Sequence, residues 1–447
     1  MFSPTLKLVI QRTLPLTVGM FAIMLVQLVD SVFIGMLGLD QLTIHGITLP
    51  FQVAFIGVQV GIGVAATAII SKSRGEQDHD KSKNIASLTV SVGPLFIALI
   101  GALLWVMNVP ILSAFTSDDV TQAHYLILLS IFQRYWPVWL VSALSVATLY
   151  LVTCVYRANE DTKTTGQMFL LASLINLVLD PIFIFTFDMG ITGAALATTV
   201  GYASCTLFLL HKARSKRWFN RLTVNSTLKA HAIELIRITI PTTVNQSLPS
   251  LSAFLCMLFI AQIGTEAVAF WSLLSRIESF LLVFTLALTM AVPPIIGRYL
   301  GEGEFGKITE LLITTAKFIL VSHLLAAFVV ALSSPLLVPL LSADHTMQHW
   351  FEVALWIIPF SYAPLGLCMV VVSVFNALGK PKRALLVSFI RLIALYIPAI
   401  WVGTATENVI YTVMAAALAN TLAGGYAWFM LKQHTELQLN HSLLTEA

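Results

Sequence analysis

The sequence predicts an all-α polytopic membrane protein, with twelve transmembrane helices in two pseudo-symmetric six-helix bundles around a central cavity. Three observations predict this class: the apolar composition, the number of long apolar runs, and an internal repeat. Of the 447 residues, 57% are hydrophobic and 11% are charged, and the mean hydropathy is +0.87. Soluble domains carry about 25% charged residues, so most of this chain is expected to lie in lipid.

Apolar runs long enough to cross a bilayer, about 20 residues each, occur twelve times along the chain. The first run is too long for a cleaved signal, and no small-residue cleavage pattern follows it. The predicted spans are residues 12–37, 50–70, 86–107, 126–155, 165–187, 190–210, 233–262, 271–296, 311–333, 351–376, 384–404 and 409–431.

Lysine and arginine in the connections predict the orientation of the chain. They occur in alternate connections, and such residues stay on the cytoplasmic side of a membrane. We therefore expect a multi-pass protein of the cell (inner or cytoplasmic) membrane with both termini in the cytoplasm. The net charge of +3 and the dispersed basic residues do not indicate a nucleic-acid partner.

An internal repeat divides the chain into two halves. A shift of 226 positions places several Gly, Pro and charged residues on one another, among them Pro15 on Pro241, Gly75 on Gly301 and Glu76 on Glu302. Each half holds six spans, so the two repeats enter the membrane in the same orientation, as in transporters that work by alternating access. The predicted domains are an N-terminal bundle of residues 1–210, a cytoplasmic linker of residues 211–232 and a C-terminal bundle of residues 233–447.

Two carboxyl groups lie inside predicted spans of the first half. An aspartate at the centre of a spanning helix raises the free energy of insertion by roughly 2.5–3.5 kcal/mol. Asp30 and Asp180 both lie about seven residues, or ~10 Å, below the outer ends of their spans. Asn176 precedes Asp180 by four residues and shares its helix face, and Thr198 lies at a similar depth in the sixth span. These side chains are expected to form one polar pocket.

Such a pocket can take up and release a proton, or bind a small cation in its place, because two close carboxylates do not readily ionise together. Pro15 and Pro181 interrupt the helical hydrogen bonds and leave both helices able to bend. A bend in the first span that depends on the protonation of Asp30 would couple ion binding to the shape of the cavity. The alternative is that Asp30 and Asp180 only hydrogen-bond neighbouring helices.

Other side chains are candidates for the cargo cavity. Methionine adapts to varied ligands, although most helical methionines lie in the core or face lipid. Polar side chains in the spans could line a cavity or bridge two helices. The candidates are Met20, Met24, Gln27, Ser31, Asn245 and Asn376.

Several motifs resemble those of one transporter family. Pro15 is followed fifteen residues later by Asp30, Asn176-x-x-x-Asp180 lies in the fifth span, and "GITGAALAT" ends at Thr198 in the sixth. With "SRIES" in the eighth span and the duplication, the whole chain resembles the multidrug and toxic compound extrusion (MATE) family, and more narrowly its DinF branch.

The resemblance implies export of cationic or amphipathic drugs by antiport, with Asp30, Asn176, Asp180 and Thr198 as the coupling site. The seventh span has no deep glutamate and the tenth no deep aspartate, unlike the NorM branch, so we do not expect a cation site in the second half. We expect a proton gradient to drive transport, with sodium at the same oxygens as the alternative. No cofactor and no dedicated metal site are expected.

Other function classes are less well supported by the sequence. A flippase for a lipid-linked oligosaccharide, related in fold, would need cavity arginines for its pyrophosphate, and the arginines of the spans are scattered. A membrane enzyme or a channel would need a catalytic constellation or a charged pore ring, and neither is found. We expect no enzyme activity, and a functional monomer in contact with membrane lipids.

Overall fold

The computed structural model describes residues 3–116, 121–223 and 225–445, with residues 434–445 described by their backbone alone. Within these described residues, twelve helical segments are long and apolar enough to cross a membrane, which confirms the predicted all-α class and the number of spans. In chain order the elements are α1 (Pro4–Met36), α2 (Leu39–Gly75), α3 (His79–Val106), α4 (Asn108–Phe115), α5 (Gln122–Ala158), α6 (Thr162–Pro181), π1 (Ile182–Thr186), α7 (Ile191–Ser215), α8 (Ser226–Ile260), α9 (Thr265–Glu302), α10 (Phe305–Leu341), α11 (His345–Ala377), α12 (Pro381–Phe389), π2 (Ile390–Tyr396), α13 (Ile397–Thr404) and α14 (Val409–Thr445).

The helices extend beyond the predicted spans because their polar ends are also helical. Asp78 caps α3 and Asp161 caps α6, each accepting the backbone N–H three residues later, at 3.0 and 3.1 Å. Such caps satisfy the free N–H groups of the first turn. α2 therefore includes residues on both sides of the predicted span 50–70, since apolar composition marks only the part of a helix that lies in hydrocarbon.

Two spans contain π-helical turns that the sequence did not predict. π1 directly follows Pro181, and π2 directly precedes the turn that contains Pro398. Both lie in the fifth span of their half of the chain. Proline removes a backbone donor, and π turns are frequent at functional sites of helices.

Contacts divide the chain into two compact units that differ from the predicted bundles. The N-terminal unit comprises Val18–Arg74 and Asp78–Thr243, and the C-terminal unit comprises Met1–Thr17, Gly75–Gln77 and Val244–Ala447. The division falls two residues after Pro15 in α1 and two residues after the repeat-related Pro241 in α8. The predicted domain boundaries at residues 210 and 233 stay a prediction.

Each unit has its own apolar core. In the N-terminal unit, Phe132, Trp136 and Trp139 of α5 stack in sequence, with ring centroids 4.9 and 5.2 Å apart. In the C-terminal unit, Phe270 of α9 packs on Phe351 of α11 at 4.6 Å. Close-packed interiors transmit strain and leave little free volume, so polar side chains within these spans are held in defined places.

Candidate functional site

Asp30 of α1 and Asp180 of α6 meet inside the N-terminal unit. Their carboxyl groups lie within hydrogen-bond reach of each other, and Asp180 is completely buried. Oδ1 of Asp30 and Oδ2 of Asp180 are buried and accept no hydrogen bond from any residue that the structure describes. Two such carboxylates repel each other in a medium of low dielectric constant unless a positive charge lies between them.

Asn176 connects this pair to the next helix. Its Nδ2 donates to Oδ1 of Asp180 at 3.2 Å and to Oγ1 of Thr198 at 3.3 Å, and the Thr198 hydroxyl donates to the Ala194 carbonyl at 3.1 Å. Asn176 is 2% exposed, so its amide is held by these two acceptors. The four side chains that the sequence grouped therefore lie together, while their role in coupling stays a prediction.

Close helix contacts at glycines bring these side chains together. A Cβ added at Gly19 of α1 would lie 2.7 Å from the Gly166 carbonyl oxygen of α6, and one added at Gly201 of α7 would lie 2.8 Å from the Ala172 carbonyl oxygen. Only a residue without a side chain permits such an approach of two backbones. α6 is thus packed tightly between α1 and α7, which carry Asp30 and Thr198.

Two tyrosines near Asp30 were missed by the sequence interpretation. Tyr135 of α5 and Tyr202 of α7 both lie within electrostatic range of Asp30, and the Tyr135 hydroxyl lies 3.3 Å from Nδ1 of His45. Tyr202 follows Thr198 by four residues, so the shared helix face was a signal that could have identified it. Tyr135 joins the site only through the packing of α5.

The predicted cavity residues differ in their surroundings. Gln27 and Ser31 are exposed, and the Ser31 hydroxyl donates to the Gln27 carbonyl of its own helix at 2.9 Å. Asn245 and Asn376 are buried, and Oδ1 of each accepts no hydrogen bond from the described residues. Met20 and Met24 are half-buried. Contact of these residues with cargo stays a prediction.

The donor set around Asp30 suits a proton or a monovalent cation. Within the described residues, no group of three or more His, Cys, Asp or Glu side chains could hold a metal ion. Two carboxyl groups with an amide and a hydroxyl provide oxygen ligands only, which hard cations prefer.

A second buried polar cluster lies in the C-terminal unit. Glu278 of α9 lies beside the hydroxyl of Tyr362 and within electrostatic range of Arg391 in π2. Tyr362 is 1% exposed, and its hydroxyl makes no hydrogen bond of standard geometry with the described residues. Nothing in the sequence indicates that these three residues meet, because they lie in three different spans.

The chain belongs to the MatE family, whose model matches residues 15–182 and 241–402. One matched segment lies in each half of the chain, in agreement with the internal repeat. A crystal structure of the Vibrio cholerae MATE transporter VcmN in the bent form is 36% identical to this chain, with a TM-score of 0.91 and coverage of 97% of each chain.

Two relatives of known sequence span nearly the same length. The FAD transporter of Shewanella oneidensis is 24% identical over 444 residues, which is 97% of this chain and 96% of that protein. The multidrug export protein MepA of Staphylococcus aureus is 25% identical over 431 residues, 94% of this chain and 92% of that protein. The twelve apolar helices and the family together define a multi-pass membrane protein of a transporter family.

Proposed function

We propose that this protein is a secondary active multidrug exporter, which moves cationic or amphipathic drugs across the membrane by alternating access in exchange for protons. The observation that carries the proposal is the buried contact between Asp30 and Asp180. Ionisable residues inside a membrane span raise the free energy of insertion, and most of them have a functional role. The MepA relative, a multidrug export protein, supports drugs as the cargo.

The proton is the coupling ion that this geometry favours. One proton placed between the facing carboxyl groups would satisfy both unpartnered oxygens and remove one negative charge. Sodium is the alternative ion, held by the same carboxyl groups with Asn176 and Thr198. No bound cofactor is required, because a membrane potential supplies about 2.3 kcal/mol per charge per 100 mV.

Bending of α1 at Pro15 is the proposed gate. Proline removes one hydrogen bond from the helix interior and lowers the resistance to bending. α1 passes from the C-terminal to the N-terminal unit between Thr17 and Val18, so a bend at Pro15 falls next to the division. A bent form of VcmN has been crystallised, which supports a bend as part of the cycle here.

The alternative cargo is a large phosphorylated molecule, including the lipid-linked oligosaccharides of a flippase. The FAD transporter relative keeps this alternative open. Phosphate groups need arginines that are free to bind them, and Arg391 lies instead near the carboxylate of Glu278. We therefore propose drugs without phosphate groups as the cargo.

We further place the chain in the DinF branch of its family, on the Asn176-x-x-x-Asp180 motif and the acidic residue of α1. The proposed location is the cell (inner) membrane, with both termini in the cytoplasm as the basic connections predict. A monomer suffices for transport, because each chain holds both repeats.

The test is efflux of ethidium from proteoliposomes driven by a pH gradient without sodium. Wild type should transport, and Asp30→Asn or Asp180→Asn should reduce transport to background, because neither amide can exchange a proton in this range of pH. Asp40→Asn is the matched control, since Asp40 lies in the first turn of α2 and pairs with His124 at 3.5 Å; it should transport like wild type.

Three results would contradict parts of the proposal. Transport that appears only after sodium is added would replace the proton by sodium. Full transport by both aspartate variants, with folding verified by size-exclusion chromatography, would make Asp30 and Asp180 structural residues. Competition by FAD but not by cationic drugs would favour the phosphorylated cargo.

A further inference from the structure

The linker between the two halves has a charge pattern that transport does not explain. Residues 211–232 contain six of the 25 lysines and arginines of the chain and none of its 22 acidic residues. The net charge of the whole chain is only +3, so the rest of the chain is net negative. Positive charge is thus concentrated in this one segment.

The first part of the linker lies at the level of lipid headgroups. α7 spans 25 residues, from Ile191 to Ser215, which is about 37 Å at 1.5 Å per residue. The hydrocarbon core of a bilayer is about 30 Å thick. If Ile191 lies at one boundary of the core, Arg214 and the residues after it lie just beyond the opposite boundary.

The chain folds back at the end of α7 and is fixed there by aromatic contacts. Arg217 has a φ of 55°, and the Trp218 N–H donates to the Ala213 carbonyl at 3.3 Å. The ring of Trp218 packs edge-on against Tyr156 with centroids 4.9 Å apart. Since a left-handed conformation is unfavourable for an arginine, the turn depends on these contacts.

Asn220 attaches the next part of the linker to α3. Its N–H donates to Oγ of Ser87 at 3.0 Å, the Ser87 hydroxyl donates to the Asn220 carbonyl at 2.9 Å, and its Nδ2 donates to Oδ1 of Asn84 at 3.3 Å. Phe219 and Leu222 pack on the apolar cluster below. The linker here is a defined surface and not a free loop.

Three arginines of the linker are exposed and have no acidic partner among the described residues. Arg214, Arg217 and Arg221 are exposed, and none forms an ion pair with any acidic residue that the structure describes. Lys216 differs, because its Nζ bonds Oδ2 of Asp161 at 3.1 Å and lies 4.5 Å from the Trp218 ring. Lys216 therefore holds the turn, while the three guanidinium groups, the linker arginine face, remain uncompensated.

We propose that the linker arginine face, Arg214, Arg217 and Arg221, binds the phosphate groups of anionic phospholipids. Guanidinium groups bind phosphate oxygens in pairs, and basic clusters next to a membrane span are attracted to anionic lipids. The attachment by Trp218 and Asn220 holds the backbone that carries these arginines near the headgroups, so little backbone entropy is lost when lipid binds. The transport cycle itself does not require this site.

The test is native mass spectrometry of the full-length protein with phosphatidylglycerol or phosphatidylcholine. Wild type should bind phosphatidylglycerol on the order of 100-fold more strongly than phosphatidylcholine, because each of the three arginines near an anionic surface contributes roughly a factor of five. Arg214→Gln/Arg217→Gln, which keeps only Arg221 of the three, should retain a preference of about fivefold. The matched control, Lys380→Gln/Lys382→Gln, removes the same charge from exposed positions at the start of α12 and should keep the preference.

Further variants separate charge from geometry. Arg214→Lys/Arg217→Lys keeps the charge but loses paired hydrogen bonding, so it should recover only part of the preference. An equal loss in the Lys380/Lys382 control, or an unchanged preference in the arginine variant, would overturn the proposal. Displacement of lipid by inorganic phosphate at equal concentration would also overturn it, since the site would then recognise soluble phosphate.

Discussion

Asp30 in the N-terminal unit and Cys256 in the C-terminal unit occupy repeat-related positions. The ionisable groups around Asp30 are of the same sign, whereas those around Cys256 are of opposite sign. Asp30 faces a second carboxyl group, Asp180, whereas Cys256 lies near Tyr396 in a cluster with Glu278 and Arg391. A pair of like charges can change its net charge by taking up a proton. Glu278 has a cation, Arg391, within electrostatic range in place of a second carboxyl group, so this cluster does not need a shared proton to reduce repulsion between like charges.

Under the proposed mechanism, a duplicated transporter would place ion coupling in one half only. Both halves keep six spans and a π-helical turn in the fifth, so the backbone of the repeat is retained. The side chains at equivalent positions have diverged. We infer that the N-terminal unit responds to the ion gradient, while the charged cluster of the C-terminal unit stabilises its own packing.

The largest expected effect comes from replacing Asp30 of the N-terminal unit by cysteine, the residue at the repeat-related position 256. Asp30→Cys should reduce pH-driven ethidium transport to background, because a thiol next to Asp180 leaves a single carboxyl group and no shared proton. Cys256→Ser in the C-terminal unit should transport like wild type. Loss of transport in the Cys256 variant would mean that both halves take part in coupling.

Substitution of Glu278 tests whether the charged cluster of the C-terminal unit stabilises the fold. Removal of one partner leaves a charge in a poorly hydrated place, which is destabilising, whereas removal of both restores neutrality. Glu278→Gln should therefore lower the melting temperature by several degrees, and Glu278→Gln/Arg391→Gln should recover part of it. Thermal unfolding in detergent measures both.

Transport by these variants decides whether the cluster is only structural. Each should keep its dependence on the pH gradient when assayed below the melting temperature. A Glu278→Gln protein that is stable but uncoupled would place a second coupling group in the C-terminal unit.

The repeat-related prolines give a smaller effect. Alanine restores the missing N–H and stiffens the helix. Pro15→Ala should lower the maximal transport rate severalfold with little change in the drug concentration at half-maximal rate, and Pro241→Ala should change the rate less. Initial rates over a range of drug concentrations separate the maximal rate from the concentration at half-maximal rate. Equal effects would assign the bend to both helices.

The smallest expected effect concerns Asp161, which lies outside the spans in the N-terminal unit. Burial raises the pKa of Asp161, but hydrogen bonds from Thr164 and Lys216 lower it by more, so that this pKa lies below its usual value of 3.8. Its ion pair therefore stabilises the protein above about pH 4 and loses this effect as the pH falls further.

Asp161→Asn should reduce stability by less than about 1 kcal/mol at pH 7, since partly exposed ion pairs contribute little. The difference from wild type should decrease below pH 4. Melting temperatures of wild type and variant at pH 7 and at pH 3.5 test this. If the difference between the two proteins grows on acidification, the ion pair of Asp161 does not lose its stabilising effect at low pH and the prediction is wrong.

The candidate site could be predicted to the extent that it depends on local spacing and depth. Asn176 and Asp180 are four residues apart on one helix, and the positions of Asp30 and Thr198 in their spans place them at a similar depth. Tyr135, Glu278 and Arg391 could not be assigned partners, because nothing in the spacing of their own spans indicates which helix face they meet. The bend proposed at Pro15 remains a prediction from residue type.

The sequence by itself determined the membrane environment, the number of spans and the internal repeat. These follow from composition and period, since hydrocarbon requires about 20 apolar residues in each crossing helix. Only the tertiary structure decided that α1 and α8 are divided between the two compact units, that π turns interrupt the fifth and eleventh spans, and that Glu278 lies near Arg391. These features depend on contacts between residues that are distant in the chain, and such contacts are set by how whole helices pack.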